Sequence, residues 1–232
     1  AFGLTPMSVE AWCNLLFISM GASPSPLSPQ LTVLESRLRD MTIDSLQFVA
    51  RSKYRLACNW KVYVDNYLDG GYHVGYLHRG LAAQLDMDSY KVEVFEKYSI
   101  QSGAGAGEVG EKGSDFSERI GDRVLYAWIY PNLMINRYGP MMDTNWVIPV
   151  GHDETEVIFD YYFTPETARD AEFVEKSLAA SDVVQKEDVD ICESVQRGLG
   201  SASYDRGRYS VKHEQGELHF HRLLAADFQR GL

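Results

Sequence analysis

Between Tyr90 and Phe163 the chain alternates short β-prone runs with turn signals, and this pattern leaves few folds open. Tyr90 to Phe95, Val124 to Ile129, Leu133 to Tyr138, Thr144 to Val150 and Glu156 to Phe163 are rich in aromatic and β-branched residues. Tyr-Pro-Asn and Gly-His-Asp lie between the later runs at hairpin-like distances, which predicts an antiparallel sheet. Gln47 to Leu56 reads as one more strand. Thr164-Pro165-Glu166 then marks a helix start, with a hydroxyl cap, proline in the first turn and an acid beside the positive end of the dipole. Helical sequence continues to about Gly198. Strands followed by a long helix make the class α+β.

The N-terminal part is organised differently. Trp12 to Ile18 reads as a single strand, and Gly21 to Pro29 holds three prolines in six residues, an extended connector that joins neither a helix nor a central strand. Short helices are expected around Leu31 to Leu38, near Leu81, and from His221 to Phe228. The chain opens at Ala1 without an initiator Met and is expected to be a piece of a longer protein.

Several function classes fall away on composition. A net charge of −11 leaves no basic face to neutralise phosphates, which argues against nucleic acid. Cys13, Cys58 and Cys192 are scattered and odd in number. They make no disulfide framework and no cysteine-based zinc or iron–sulfur site, and they suit a reducing compartment. No apolar run approaches the ~20 residues of a membrane span. A Gly-x-Gly-x-x-Gly pattern runs from Gly105 to Gly110, but no helix follows it and Glu108 and Glu111 would repel a pyrophosphate, so it reads as a loop.

The chemistry concentrates in Asn59 to His78, which carries His73 and His78 with Asp65, Asn66 and Asp69 upstream. Two neutral imidazoles and a carboxylate from elsewhere form a facial set for a divalent metal with open positions. A five-residue step along a helix turns about 140°, so the two rings meet only if the helix breaks between them. Gly75 allows such a break, as Gly70 and Gly71 do at the other end. The alternative is an amphipathic helix that happens to contain histidines. On the long helix, Asp188 falls within an apolar stripe of Val184, Ile191, Cys192, Val195 and Leu199, while Glu187, Asp190 and Glu193 point away. A carboxylate there needs a metal ion, a buried cation or a capping contact. His219 and His221 are two apart and diverge, and His152 sits in a turn, so core or surface roles are expected for these.

Three blocks together resemble the catalytic domain of Rieske-type mononuclear non-haem iron oxygenases. They are Asn59-Trp60-Lys61 through His78, Glu187 to Leu199, and Tyr204-Asp-Arg-Gly-Arg-Tyr209 with Phe220-His221-Arg222. The last two point to the branch that acts on choline. The resemblance implies that His73, His78 and Asp188 bind mononuclear Fe(II), with the Asn66 amide close by. An acid upstream of the first histidine relays electrons from a neighbouring subunit in this family. It commonly stands three before that histidine, where this chain has Gly70; Asp69, four before, is the first candidate and Asp65 the second. A Rieske [2Fe-2S] cluster needs paired Cys and His motifs that this sequence lacks. Residues 1–30 are therefore expected to connect to a Rieske domain and 31–232 to form the iron domain.

The expected architecture is of the helix-grip type, a curved antiparallel sheet packed against a long C-terminal helix and shorter helices. The implied partners are dioxygen, choline or a related quaternary amine, and a ferredoxin-type electron donor, with a homo-oligomer, usually a trimer, for the inter-subunit path. Plant relatives are stromal and bacterial ones cytoplasmic. Aromatic faces hold a trimethylammonium group by cation–π attraction. Among Trp128, Tyr130, Tyr138, Trp146, Phe159 and Tyr161, the first substrate-binding candidates are Trp128 and Trp146. Two other readings stand beside this one: a metal-free ligand-binding module on the same sheet and helix, and a hydrolytic zinc enzyme on the same three ligands.

Overall fold

The computed structural model describes residues 4, 7–21, 24–105 and 119–231. The chain forms two compact units, Ala1–Leu46 and Gln47–Leu232. In the first, β1 (Ser8–Trp12) and β2 (Leu15–Ser19) pair as an antiparallel hairpin. The expected single strand from Trp12 to Ile18 is thus two strands. Cys13 and Asn14 turn between them with φ of 48° and 61°, the double left-handed conformation of a two-residue hairpin loop. The proline segment ends where the Glu10 carboxylate accepts the Leu27 and Ser28 N–H groups at 2.7 and 3.0 Å. Helix α1 (Thr32–Asp40) follows and buries Leu34 and Leu38.

The second unit is built on seven strands. These are β3 (Gln47–Leu56), β4 (Leu85–Val94), β5 (Tyr98–Gly105), β6 (Arg123–Ile129), β7 (Leu133–Tyr138), β8 (Met141–Pro149) and β9 (Thr155–Phe163). All neighbours are antiparallel, in the order β3-β9-β8-β7-β6-β5-β4. Strand β5 was invisible to residue preference because its second half is Ser, Gly and Ala. Glycine is required at its end: a Cβ on Gly105 would stand 2.0 Å from the Gly121 carbonyl oxygen. The rest of the Gly-x-Gly-x-x-Gly pattern lies outside the described residues.

Four helices are described in this unit: α2 (Trp60–Leu68), the single turn α3 (Arg79–Ala82), α4 (Ala171–Leu199) and α5 (Gln215–Arg230). The long helix starts later than Thr164 predicts. Thr164 Oγ1 accepts the Thr167 N–H at 3.4 Å, where only a short 3-10 turn (Thr167–Arg169) follows, and the cap of α4 is Asp170, whose Oδ1 accepts the Phe173 N–H at 3.0 Å. Val62, Val64 and Leu68 of α2 share one core with Val147, Val157 and Phe159 of the sheet, Cys192 of α4 and Phe220 of α5. Phe163 and Phe220 are fully buried, each worth about 1.5–3 kcal/mol. On the solvent face, Arg51–Asp160 at 2.6 Å, Lys53–Glu156 at 3.4 Å and Arg55–Glu154 at 2.9 Å pair the edge strand β3 with the β9 side. Among the described residues no helix is long and apolar enough to cross a membrane.

Candidate metal centre

Asn59 Oδ1 accepts the Lys61 N–H at 3.2 Å and starts α2, which ends at Leu68. Gly70 and Gly71 turn the chain with φ of 68° and 78°. A Cβ at Gly70 would meet the His213 carbonyl oxygen at 2.2 Å. The helix therefore ends before His73, and the expected break at Gly75 is not used: that residue has no positive φ, and a Cβ there would meet nothing within 4 Å. Both histidines lie beyond α2, with His73 in the turn region and His78 at the N-cap of α3.

Free of helical phase, the two rings converge, with centroids 5.0 Å apart. His78 Nε2 is 3.1 Å and His73 Nε2 3.9 Å from Asp188 Oδ1. One donor atom from each of the three residues lies within 4.8 Å of the others. Each imidazole is gripped from behind by a second acid. Asp69 Oδ2 lies 2.7 Å from His73 Nδ1 and also accepts the His73 N–H at 2.8 Å, while Glu187 Oε2 lies 2.6 Å from His78 Nδ1. A carboxylate at Nδ1 holds a proton there, so that Nε2 is the nitrogen each ring would turn to a metal ion. Asn66 Nδ2 donates to Asp188 Oδ1 at 2.8 Å and fixes the third group. Burial works to lower the basicity of His78, but its bonds to Asp188 and Glu187 outweigh this and hold the imidazole above its ordinary value. Two imidazole nitrogens and one carboxylate oxygen form a donor set suited to ferrous iron with positions left open.

Glu187 was expected to point away from the inward stripe, yet it reaches His78. The expected apolar stripe of α4 holds in part: Cys192 is buried and Ile191 packs against the core, but Val195 and Leu199 are exposed, and Ser177, Ser181 and Gln185 make the rest of the buried face polar. Asp188 thus continues a polar face that borders a cavity.

That cavity has a volume of about 130 Å³ and is lined by all three donor residues and Asn66. Its other walls include Tyr63, Tyr67, Tyr90, Tyr126, Tyr138 and Phe159. The structure brings neither Trp128 nor Trp146 to it. Trp128 is fully buried with its ring against Phe220 at 5.4 Å, and its Nε1 donates to the Pro131 carbonyl at 3.1 Å. Trp146 is 53% exposed, because side chains alternate along β8 and Asp143 and Asn145 take the cavity side. Tyr63, Tyr67, Tyr90, Tyr126 and Asp143 were missed; strand parity from Asn145 backward finds Asp143, and from Tyr138 across to β6 it finds Tyr126.

Asp65 is engaged elsewhere. Its Oδ1 lies 2.8 Å from His221 Nε2, and Glu217 on the same face of α5 completes a second group. His221 Nδ1 meets the Tyr209 hydroxyl. His219 Nε2 lies 3.1 Å from the Glu96 carbonyl, and His152 is exposed, as its turn position implied.

Residues 43–229 match the family described as the ring hydroxylating alpha subunit (catalytic domain). The chain is 46% identical over 233 residues to the chloroplastic choline monooxygenase of Arabidopsis thaliana, covering 96% of this chain and 54% of that protein. It is 31% identical over 239 residues to the carnitine monooxygenase oxygenase subunit of Escherichia coli (strain K12), covering 97% and 62%. Among solved structures, the quaternary ammonium Rieske monooxygenase CntA in complex with an inhibitor superposes with a TM-score of 0.80 at 27% identity, over 95% of this chain and 61% of that one. The chain thus spans a little over half the length of the relatives it matches.

Proposed function

The chain belongs to the ring-hydroxylating alpha-subunit catalytic-domain family, and on that footing we propose that it is the iron-bearing part of an oxygenase that hydroxylates choline. The convergence of two imidazole Nε2 atoms and the Asp188 carboxylate beside an aromatic cavity carries this reading. His73, His78 and Asp188 are the residues that would hold the mononuclear iron. Ferrous iron bound there supplies the reductive activation of dioxygen, which no side chain offers.

The chain's own residues do the rest. Asp69 and Glu187 keep protons on the two Nδ1 atoms, so both Nε2 atoms stay available. Asn66 holds one oxygen of Asp188 in place. The tyrosine walls exclude water and orient the alcohol carbon of the substrate toward the donor set. Asp69, against the outer nitrogen of His73, is the acid that would bridge the iron ligands to a [2Fe-2S] Rieske cluster of a neighbouring subunit, with a ferredoxin-type donor reducing that cluster. The overall reaction consumes choline, dioxygen, two electrons and two protons, and yields betaine aldehyde hydrate and water. Carnitine or glycine betaine is the second reading: carnitine relatives match at 31% identity, below the 46% of the choline relative, which ranks choline first.

Metal analysis of anaerobically purified protein tests the centre. About one iron per chain is expected in the wild type, with loss of it in His73→Ala and Asp188→Ala. Zinc in its place, with turnover that ignores dioxygen, sinks the oxygenase reading. Product analysis with choline, carnitine and glycine betaine as separate substrates then decides among the amines.

A further inference from the structure

The cavity contains a buried acid that the metal centre does not use. Asp143 on β8 is 3% exposed and borders the cavity. Its Oδ1 accepts the Tyr138 hydroxyl at 2.7 Å, and its Oδ2 accepts Asn136 Nδ2 at 2.7 Å and Asn145 Nδ2 at 2.8 Å. Three donors aimed at one carboxyl group suit its ionised form. Burial raises the carboxyl from its ordinary value, and these donors together with Arg119 work against that rise. The Arg119 guanidinium also borders the cavity: it lies over the Tyr138 ring, 5.1 Å from its centroid, and donates to the Tyr138 hydroxyl at 2.8 Å.

The surrounding tyrosines present rings more than hydroxyls. Tyr63 donates to Gln185 at 2.9 Å, Tyr67 to Asn136 at 2.7 Å and Tyr90 to Gln101 at 3.1 Å. With those hydroxyls committed to protein acceptors, the tyrosine rings share the cavity wall with the Asp143 and Asp188 carboxylates and the Arg119 guanidinium, and of the two acids Asp143 is the one outside the donor set. A quaternary ammonium has no N–H to donate, so it is recognised by charge and by π faces. Tyr63, Asp143 and Asp188 line the same cavity, so the anion and the donor set share one space.

We propose that Asp143 is the specificity-determining counter-charge for the cationic head of the substrate, with the Tyr126 and Tyr138 rings beside it. This rests on the quaternary-amine reading above. The reacting carbon then points to the donor set while the head is held at the sheet.

The test compares choline with 3,3-dimethylbutan-1-ol, its neutral carbon isostere, on the full-length iron-loaded protein. The wild type should prefer choline in KM by about 30-fold or more, equivalent to about 2 kcal/mol at 1.4 kcal/mol per tenfold. Asp143→Asn should erase most of that preference, raising KM for choline far more than KM for the neutral alcohol. Equal losses on both substrates, or an unchanged preference, overturn the assignment of Asp143 while leaving the amine reading intact. A wild type that binds neither alcohol overturns both. If Asp143→Asn does not fold, Asp143→Glu, which keeps the charge and displaces it, takes its place: a reduced choline preference supports the assignment, and a preference equal to that of the wild type overturns it.

Discussion

Asp69 and Glu187 each approach a histidine from the side away from Asp188, and both contacts are short, at 2.7 and 2.6 Å. Acids in this position orient the ring and raise the basicity of the nitrogen on the far side. Glu187→Gln and Asp69→Ala are therefore expected to weaken metal binding about 10–100-fold, measured by competition with a chelator. Wild-type affinity in both variants would show that the rings are positioned by the backbone alone. At this scale the sequence was partly legible. Asp188 could be placed because its helical phase is set by spacing alone. Glu187, one position away, was misplaced because a long side chain on the flank of a helix can reach back to a ring that comes to meet it. Trp128 and Trp146 attracted notice as large aromatics, but strand parity turns one to solvent and the cover of α5 buries the other.

The element that delivers the histidines is a helix that stops. Gly70 combines a left-handed backbone with a carbonyl 2.2 Å from where a Cβ would sit. Gly70→Ala should cost about 1–2 kcal/mol for the conformation alone, and more for the collision. For a unit of this size each kcal/mol lowers the melting temperature by roughly 2–4 °C. Gly75→Ala, with open space around it, should melt within about 0.5 kcal/mol of the wild type. Similar melting of the two variants would mean that the turn is not fixed at Gly70. Most strands were legible from aromatic and β-branched runs. Strand β5 was not, because a strand flanked by partners on both sides can be built from Ser, Gly and Ala. The hairpin of the first unit was missed because Cys13-Asn14 is an uncommon pair for a two-residue turn.

In the second unit as a whole, acidic groups meet where α2 and α5 approach. Burial, with Asp65 and Glu214 nearby, pushes the Glu217 carboxyl from 4.5 up to about 8. The folded form therefore keeps this proton where the unfolded chain has lost it, and stability falls as pH rises from about 4.5 toward 8. His221, raised first of all by its bond to Asp65, acts in the same direction. Its contribution is complete below its ordinary value of 6.5 and disappears as pH passes the raised one. The melting temperature should decline between pH 6 and 8.5 by about a few degrees, and Glu217→Gln should flatten that decline. A variant that follows the wild-type curve would assign the loss to other groups.

The strand order sets when the centre can exist. Strand β3 pairs with β9, 99 to 116 positions later, and the link from β3 to β4 must travel from one rim of the sheet to the other carrying both histidines. Until β3 docks, the link that carries His73 and His78 is pinned at one rim only, so metal uptake by these residues and Asp188 is expected to follow closure of the sheet.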